Sequence, residues 1–331
     1  MKDSTSKIIE IKNLNDPSWN QFWQLSANDS SFQYEKNLLE HFFPKKGQNI
    51  ALVLLDKNEQ PRARALFQIN IDQESIYIGF LKSLSADDCT TLIKYCEKLA
   101  HTFSSKIKTI YAPFNFTTWF SYRTKLSSTD NQYWWEPTYD EQLTKSLLDC
   151  SWCIDQTYFS AKYKELQESF DRHKKSYDKL KNEFDFQTLD QYKTTDLASI
   201  IYNLNINSFN QAAHYYPITI DEYKKFIFSK IPVSHFKTSI IVLKNSEPQG
   251  YGYCFEEKDS LVIKSMLLSP SSQSIGLGSA LSFKIAELAL NQNLTSFTGA
   301  MVRDDNKSRF LFSHFGPGIE RHEYAIYKFL I

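Results

Sequence analysis

The chain has 331 residues, 42% hydrophobic and 23% charged, and its 38 basic and 38 acidic side chains cancel. Such a balance gives no overall field for gathering nucleic acid or an anionic membrane surface, and only 9 glycines and 10 prolines argue against long flexible linkers. The length suits two domains of about 150 residues each.

The opening residues MKDSTSKIIEIKNLND are polar, and no run approaches the ~18 apolar residues of a membrane span. Neither a secretory leader nor a span is expected. Five cysteines, an odd number, fit a reducing cytoplasm better than a disulfide framework.

In chain order, KIIEIKN (7–13) reads as a strand, and PSWNQFWQLS (17–26) and EKNLLEHFF (35–43) as helices. Three strands follow, NIALVLLDK (49–57), RARALFQIN (62–70) and SIYIGFLKS (75–83), with KNEQP and DQE as turns. ADDCTTLIKYCEKLAHTF (86–103) is a helix, KIKTIYAPF (106–114) a strand and WCIDQTYFSAKY (152–163) a late strand. Cys150-Ser151-Trp152-Cys153 is a CxxC, but helix-like residues 140–149 precede it and a strand follows. A redox CxxC has the opposite order, so that a helix N-terminus lowers the thiol pKa, and no second pair is spaced to complete a zinc site. No metal site is expected.

Residues 162–184, KYKELQESFDRHKKSYDKLKNEF, are helix-prone, with acidic residues interleaved among basic ones, and read as a solvated linking helix. The earlier order of elements then repeats. FDFQTL (184–189) is a strand, and residues 194–209 and 218–231 are helices, the second with Thr219 and Glu222 at capping-box spacing. KTSIIVLKN (237–245), QGYGYCFEE (249–257) and SLVIKSMLLS (260–269) are three strands. After the loop SSQSIGLG come a helix with Leu281, Ile285, Leu288 and Ala289 on one face, a strand at 294–302, a helix at 305–316 and a terminal strand at 323–331. The repetition implies an internal duplication.

A strand feeding a glycine-bearing loop and then a helix can hold an anion, because the first helical amides have no internal partner. Gly276 and Gly278 leave the backbone open to close approach, and Ser279 adds a hydroxyl. Neither GxxxxGK[ST] nor GxGxxG is present, so triphosphate and dinucleotide loops are unsupported.

Gln273, Gly276 and Gly278 resemble the [Q/R]-x-x-G-x-[G/A] pyrophosphate loop of the GNAT acyltransferase superfamily. Leu267–Pro270 is similar to that family's strand end, and Asp305 through Leu311 and Phe312 to Gly316 to its following helix. The resemblance implies an α/β (α+β) fold of two tandem GNAT-like domains, each a mixed, mostly antiparallel twisted sheet flanked by helices. The expected boundaries are 1–161 for a degenerate copy, 162–183 for the linking helix and 184–331 for an acyl-CoA-binding domain. In the first copy LSADDCTTL stands where the loop belongs, without glycine and with Asp87 and Asp88 to repel a pyrophosphate. PFNFTTWFSYR (113–123) reads either as core or as the wall of an acceptor pocket.

The resemblance implies acetyl-CoA, or another acyl-CoA, as co-substrate. It would be held by Met266, Leu267 and Leu268 on the strand, by Gln273, Ser274, Ile275, Gly276, Leu277, Gly278 and Ser279 in the loop, and by Asn306 and Phe312. The implied reaction is direct acyl transfer, in a ternary complex, to a primary amine of a small molecule, amino acid or peptide. Neither nucleic acid nor a membrane is expected as partner, and the sequence sets no oligomeric state. Family members often protonate the leaving thiolate with a tyrosine where this chain has Phe312, so the resemblance leaves Tyr324, Ser313 or water as the alternatives. Glu256 and the loop residue His214 are the candidate bases. Two other readings stay open: a Fem-like aminoacyl transferase, and a non-catalytic binding module that keeps the fold.

Overall fold

The computed structural model describes residues 6–45, 48–70, 74–103, 106–128, 132–210, 212–273 and 275–331. It divides into two units, Met1–Thr157 with Tyr324–Ile331, and Tyr158–Glu323.

Unit 1 runs β1 (Lys7–Ile11), α1 (Trp19–Gln24), α2 (Phe32–Phe42), β2 (Gln48–Leu55), β3 (Pro61–Asn70), β4 (Ser75–Ser83), α3 (Ala86–Ala100), β5 (Thr109–Ala112), β6 (Thr124–Lys125) and α4 (Glu141–Asp149). Strands β1 to β4 are antiparallel neighbours, as the short turns require. β5 joins β4 in parallel after the α3 crossover. Beneath α3 lies a core of β2–β4 aliphatics with Cys89, Leu92, Ile93 and Cys96 of the helix. β2 is buried on both faces after its first residue, which explains its unbroken apolar run.

Unit 2 begins within β7 (Cys153–Tyr163) and continues through α5 (Leu166–Leu180), β8 (Asp185–Thr188), α6 (Leu197–Phe209), α7 (Ile220–Phe226), β9 (Ile240–Lys244), β10 (Glu247–Glu257), β11 (Ser260–Leu268), α8 (Leu277–Asn291), β12 (Ser296–Arg303) and β13 (Glu320–Leu330). Thr219 and Glu222 form the expected capping box at α7. β8 to β11 are antiparallel and β12 joins β11 in parallel. Residues 158–163 of β7 lie antiparallel to β12, whereas residues 327–330 of β13 lie antiparallel to β5 in unit 1. Each unit therefore takes its last strand from the other half of the sequence.

Two expectations are corrected. The segment at 305–316 forms two 3-10 turns, Lys307–Leu311 and Ser313–Phe315, in place of an α-helix. Asp305 and Asn306 are residue types that favour turns over helix, and Gly316, at φ 73°, ends the segment. The linking helix is also not solvated, because α5 buries Leu166, Ser169, His173 and Leu180. Phe170 and Tyr177 each stack on Phe283 of α8 with centroids 4.5 Å apart. In the CxxC, Cys150 is buried at the end of α4, where burial raises its thiol pKa, and Cys153 is exposed.

Candidate functional site

The loop after β11 is built by its serines and a proline. Ser269 N–H donates to the Gln249 carbonyl at 2.7 Å, and Pro270 opens a 3-10 turn. The Ser272 and Ser269 hydroxyls both donate to Gln249 Oε1, at 2.7 and 3.2 Å. The chain emerges exposed at Gln273, Ile275 and Gly276, and Ser274 lies outside the described residues. Gly276, at φ 90°, is the N-cap of α8, and among the described residues no side chain caps this helix. The amides of Leu277, Gly278 and Ser279 thus begin a 15-residue helix with the polarity and free donors that suit a phosphate. A Cβ on Gly278 would meet only Leu268 Cδ1, at 3.8 Å.

The equivalent place in unit 1 is closed. Ser85 Oγ accepts from Asp88 N–H at 3.2 Å, and the Asp88 carboxylate accepts from Ser85 Oγ at 2.6 Å and from Arg62 at 3.0 Å. The α3 terminus is therefore capped by the Ser85 hydroxyl, which the Asp88 carboxylate holds in place.

A second feature adjoins the α8 loop. β11 and β12 pair only from Ser260↔Ser296 to Ile263↔Gly299, although β11 runs to Leu268 and β12 to Arg303. The β10–β11 register also slips at this point, Tyr253↔Ser265 being followed by Cys254↔Ile263, so Lys264 is a bulge. Bulges bend a strand and end pairing. From Lys264 onward β11 is splayed from β12 and offers a strand edge to a ligand. Phe312 packs against Gly299, where an added Cβ would lie 2.7 Å from the ring. It also stacks on Tyr163 at 5.9 Å.

Unit 1 has the same splay, because β4 and β5 pair only at Ser75–Tyr77 with Thr109–Tyr111. There the chain fills its own gap. Phe114 N–H donates to the Ile78 carbonyl at 2.8 Å, and Asn115 Oδ1 accepts from Phe80 N–H at 2.7 Å. The PFNF segment is thus core, and its backbone and one amide side chain take the groups that the splay would offer a ligand.

In unit 2 the splay is roofed by α5. Leu166, Ser169 and His173 face Ile263, Met266 and Phe312 across a cavity of about 20 Å³. His173 Nδ1 is hydrogen-bonded to Ser279 Oγ at 3.1 Å. Burial, helped by the nearby charges of Arg172 and His314, holds the His173 pKa down at about 4, against its ordinary 6.5. The unfolded chain therefore takes up a proton near pH 6.5 that the folded chain refuses until about pH 4, so stability falls as pH drops through that window. After discounting for solvent screening, His173 should contribute about 1 kcal/mol of the stability lost between pH 7 and 5. Urea titrations of wild type and His173→Gln at the two pH values check this, and equal losses would contradict it.

Each expected proton carrier has its own setting. Tyr324 is fully buried in unit 1, opposite Lys125. Glu256 is exposed, opposite Leu261. It is six residues along β10 from Gly250, the partner of Leu268, or about 20 Å at the strand rise. His214 sits half-buried in the turn after α6 at φ 61°, and the Ser313 side chain lies outside the described residues. Asn306 caps the turn that leads to Phe312, its carbonyl accepting from Arg309 N–H at 3.1 Å. Leu267 is buried, and Met266 and Leu268 are half-buried on the splayed stretch beside the loop. Sequence reasoning missed His173 and Ser169. Their signal was a stripe at Leu166, Phe170, His173, Tyr177 and Leu180, spaced by three and four residues.

Among the described residues no helix is long and apolar enough to cross a membrane, and no group of three or more His, Cys, Asp or Glu could hold a metal ion.

No family model matches the chain, and no curated protein does. Among solved structures, the chain is similar to a tandem GNAT protein from the clavulanic acid biosynthesis pathway, solved without AcCoA. The TM-score is 0.51 at 10% identity, over 98% of each chain. A conserved protein of unknown function from Enterococcus faecalis V583, described as a probable N-acyltransferase, gives 0.56 at 11% identity, over 99% of this chain and 72% of that one. A GCN5-related glucosamine N-acetyltransferase region in a fungal multi-domain GH3 β-N-acetylglucosaminidase gives 0.52 at 12% identity, over 99% of this chain but only 38% of the fungal one. The chain thus has the tandem GNAT fold.

Proposed function

We propose that this tandem GNAT fold serves acyl-CoA-dependent N-acyl transfer, most simply acetyl transfer, to a primary amine of a small molecule, amino acid or peptide. A single coenzyme site lies in unit 2. One observation carries the reading: α8 starts uncapped at Gly276 immediately after a strand whose pairing with its parallel neighbour stops at Ile263. The two features supply an anion cradle and a free strand edge side by side.

In this reading the amides of Leu277, Gly278 and Ser279 hold the pyrophosphate, with Gln273 and Ile275 at its rim. Met266, Leu267 and Leu268 present backbone to the pantetheine arm. A backbone N–H next to the Lys264 bulge stabilises the negative charge that develops on the thioester oxygen. The acyl-CoA supplies an activated carbonyl. The amine nitrogen bonds to that carbon, the C–S bond breaks, and the thiolate takes the proton that the amine gives up. Phe312 has no proton to offer, so water is the simplest carrier, and positioning supplies much of the rate.

Incubation with acetyl-CoA and a panel of amines and amino acids, read as free thiol released, tests the reading. Thiol release that depends on an added amine supports it. Coenzyme binding without release from any amine would favour the binding-module reading, for which Phe312 is the specific motive.

A further inference from the structure

We infer that α5 is a displaceable strap over the acyl-CoA groove, and that coenzyme enters only when the helix leaves α8. The inference rests on the acyl-CoA reading of the α8 loop. A pocket that buries a ligand of drug size needs roughly 300 Å³ or more, yet the space between Met266, Phe312 and α5 is about 20 Å³. What fills the groove belongs to the chain itself. Leu166, Ser169 and His173 form one wall of that space, and Ser176 lies against the loop, its Cβ 4.0 Å from where a Cβ of Gly276 would be. His173 also occupies the Ser279 hydroxyl, which belongs to the same cradle.

The hold of α5 on α8 is of a kind that can be released. It includes the Phe170 and Tyr177 rings on Phe283, the Lys284 ammonium 5.4 Å from the Tyr177 ring centroid, one hydrogen bond between His173 and Ser279, and Leu166 and Leu180 in the core beneath the two helices. Polar Ser169, His173 and Ser176 lie along the middle of the inner face, where an apolar seam would otherwise be strongest. The outer face, with Glu168, Asp171, Lys174, Lys175 and Lys179, is exposed. α5 is not part of a sheet, and its first turn has no side-chain cap. It can therefore swing between β7 and β8 without breaking strand pairing.

A closed strap lowers apparent affinity by the fraction of molecules that are open. Removing the two rings in F170A/Y177A is expected to tighten acetyl-CoA binding about tenfold, the reverse of what a damaged binding wall gives. In the unmodified full chain, hydrogen exchange should show α5 amides exchanging faster when acetyl-CoA is added while the first turn of α8 slows. This second measurement stands even if the double variant does not fold. Coenzyme that binds while α5 slows or stays unchanged would overturn the strap and leave the acyl-CoA reading intact. Absence of binding both in the wild type and in a folded F170A/Y177A would overturn the acyl-CoA reading, and the strap with it.

Discussion

Gly278→Val is expected to abolish acetyl-CoA binding, with Kd raised at least about 100-fold, while thermal stability is kept. The affinity loss follows from geometry. Leu277, Gly278 and Ser279 form the first turn of α8, whose amides have no side-chain cap, and a branched side chain at the second position keeps a phosphate off its neighbours. Each hydrogen bond to a charged group contributes about 1.5–3 kcal/mol, so the loss of two is worth roughly a factor of 100 or more. The fold tolerates the change because the first added carbon meets only Leu268 Cδ1, at 3.8 Å. In a helix valine is also favoured over glycine by a few tenths of a kcal/mol (about 0.3). Calorimetric titration and a thermal melt of the same sample check both halves. A Kd unchanged from wild type would remove the loop from the site, and a collapsed Tm would show that Gly278 serves packing.

Gly79→Ala should have the largest effect on stability, about 3–5 kcal/mol in unit 1. A Cβ at Gly79 would lie 2.1 Å from the Phe114 carbonyl oxygen and 2.6 Å from Asn115 Oδ1. The PFNF backbone cannot retreat without giving up the Phe114–Ile78 and Asn115–Phe80 hydrogen bonds. Overpacking and two lost buried bonds therefore act together. Urea denaturation read at unit 1 reporters, with Gly278→Ala as a neutral control, decides the matter. A loss below about 1 kcal/mol would mean that the segment is not wedged into the β4–β5 splay as described.

The two predictions reflect two settings of one architecture. Both units open a gap where the fourth and fifth strands of the copy diverge, and both place a helix terminus beside it. Unit 1 closes the terminus with Ser85 and Asp88 and the gap with Phe114 and Asn115. Unit 2 leaves the terminus uncapped at Gly276 and covers the gap with a separate helix.

Much of this was legible residue by residue. The hairpin triplets, the Thr219–Glu222 box and the loop at Gly276 and Gly278 are local features, and local chemistry encodes them. In LSADDCTTL the two carboxylates are legible as charge, whereas the Asp88 carboxylate accepting from the Ser85 hydroxyl is a feature of the folded chain. The failures are tertiary. In α5 seven exposed charged residues mask an apolar stripe that becomes meaningful only against Phe283. Strand patterns carry no information about partners, so β13 reads as the natural end of the second half although its residues from Tyr324 onward belong to unit 1. The same exchange places Tyr324 in unit 1, fully buried and in register with Lys125.

The most direct test of the central claim is a crystal structure of the full chain grown with acetyl-CoA. The account predicts one coenzyme per chain, its pyrophosphate on the Leu277–Ser279 amides, its arm along Met266–Leu268, and α5 drawn off Phe283. Coenzyme bound instead at the α3 terminus of unit 1, or a unit 2 loop that stays empty at saturating acetyl-CoA, would contradict it.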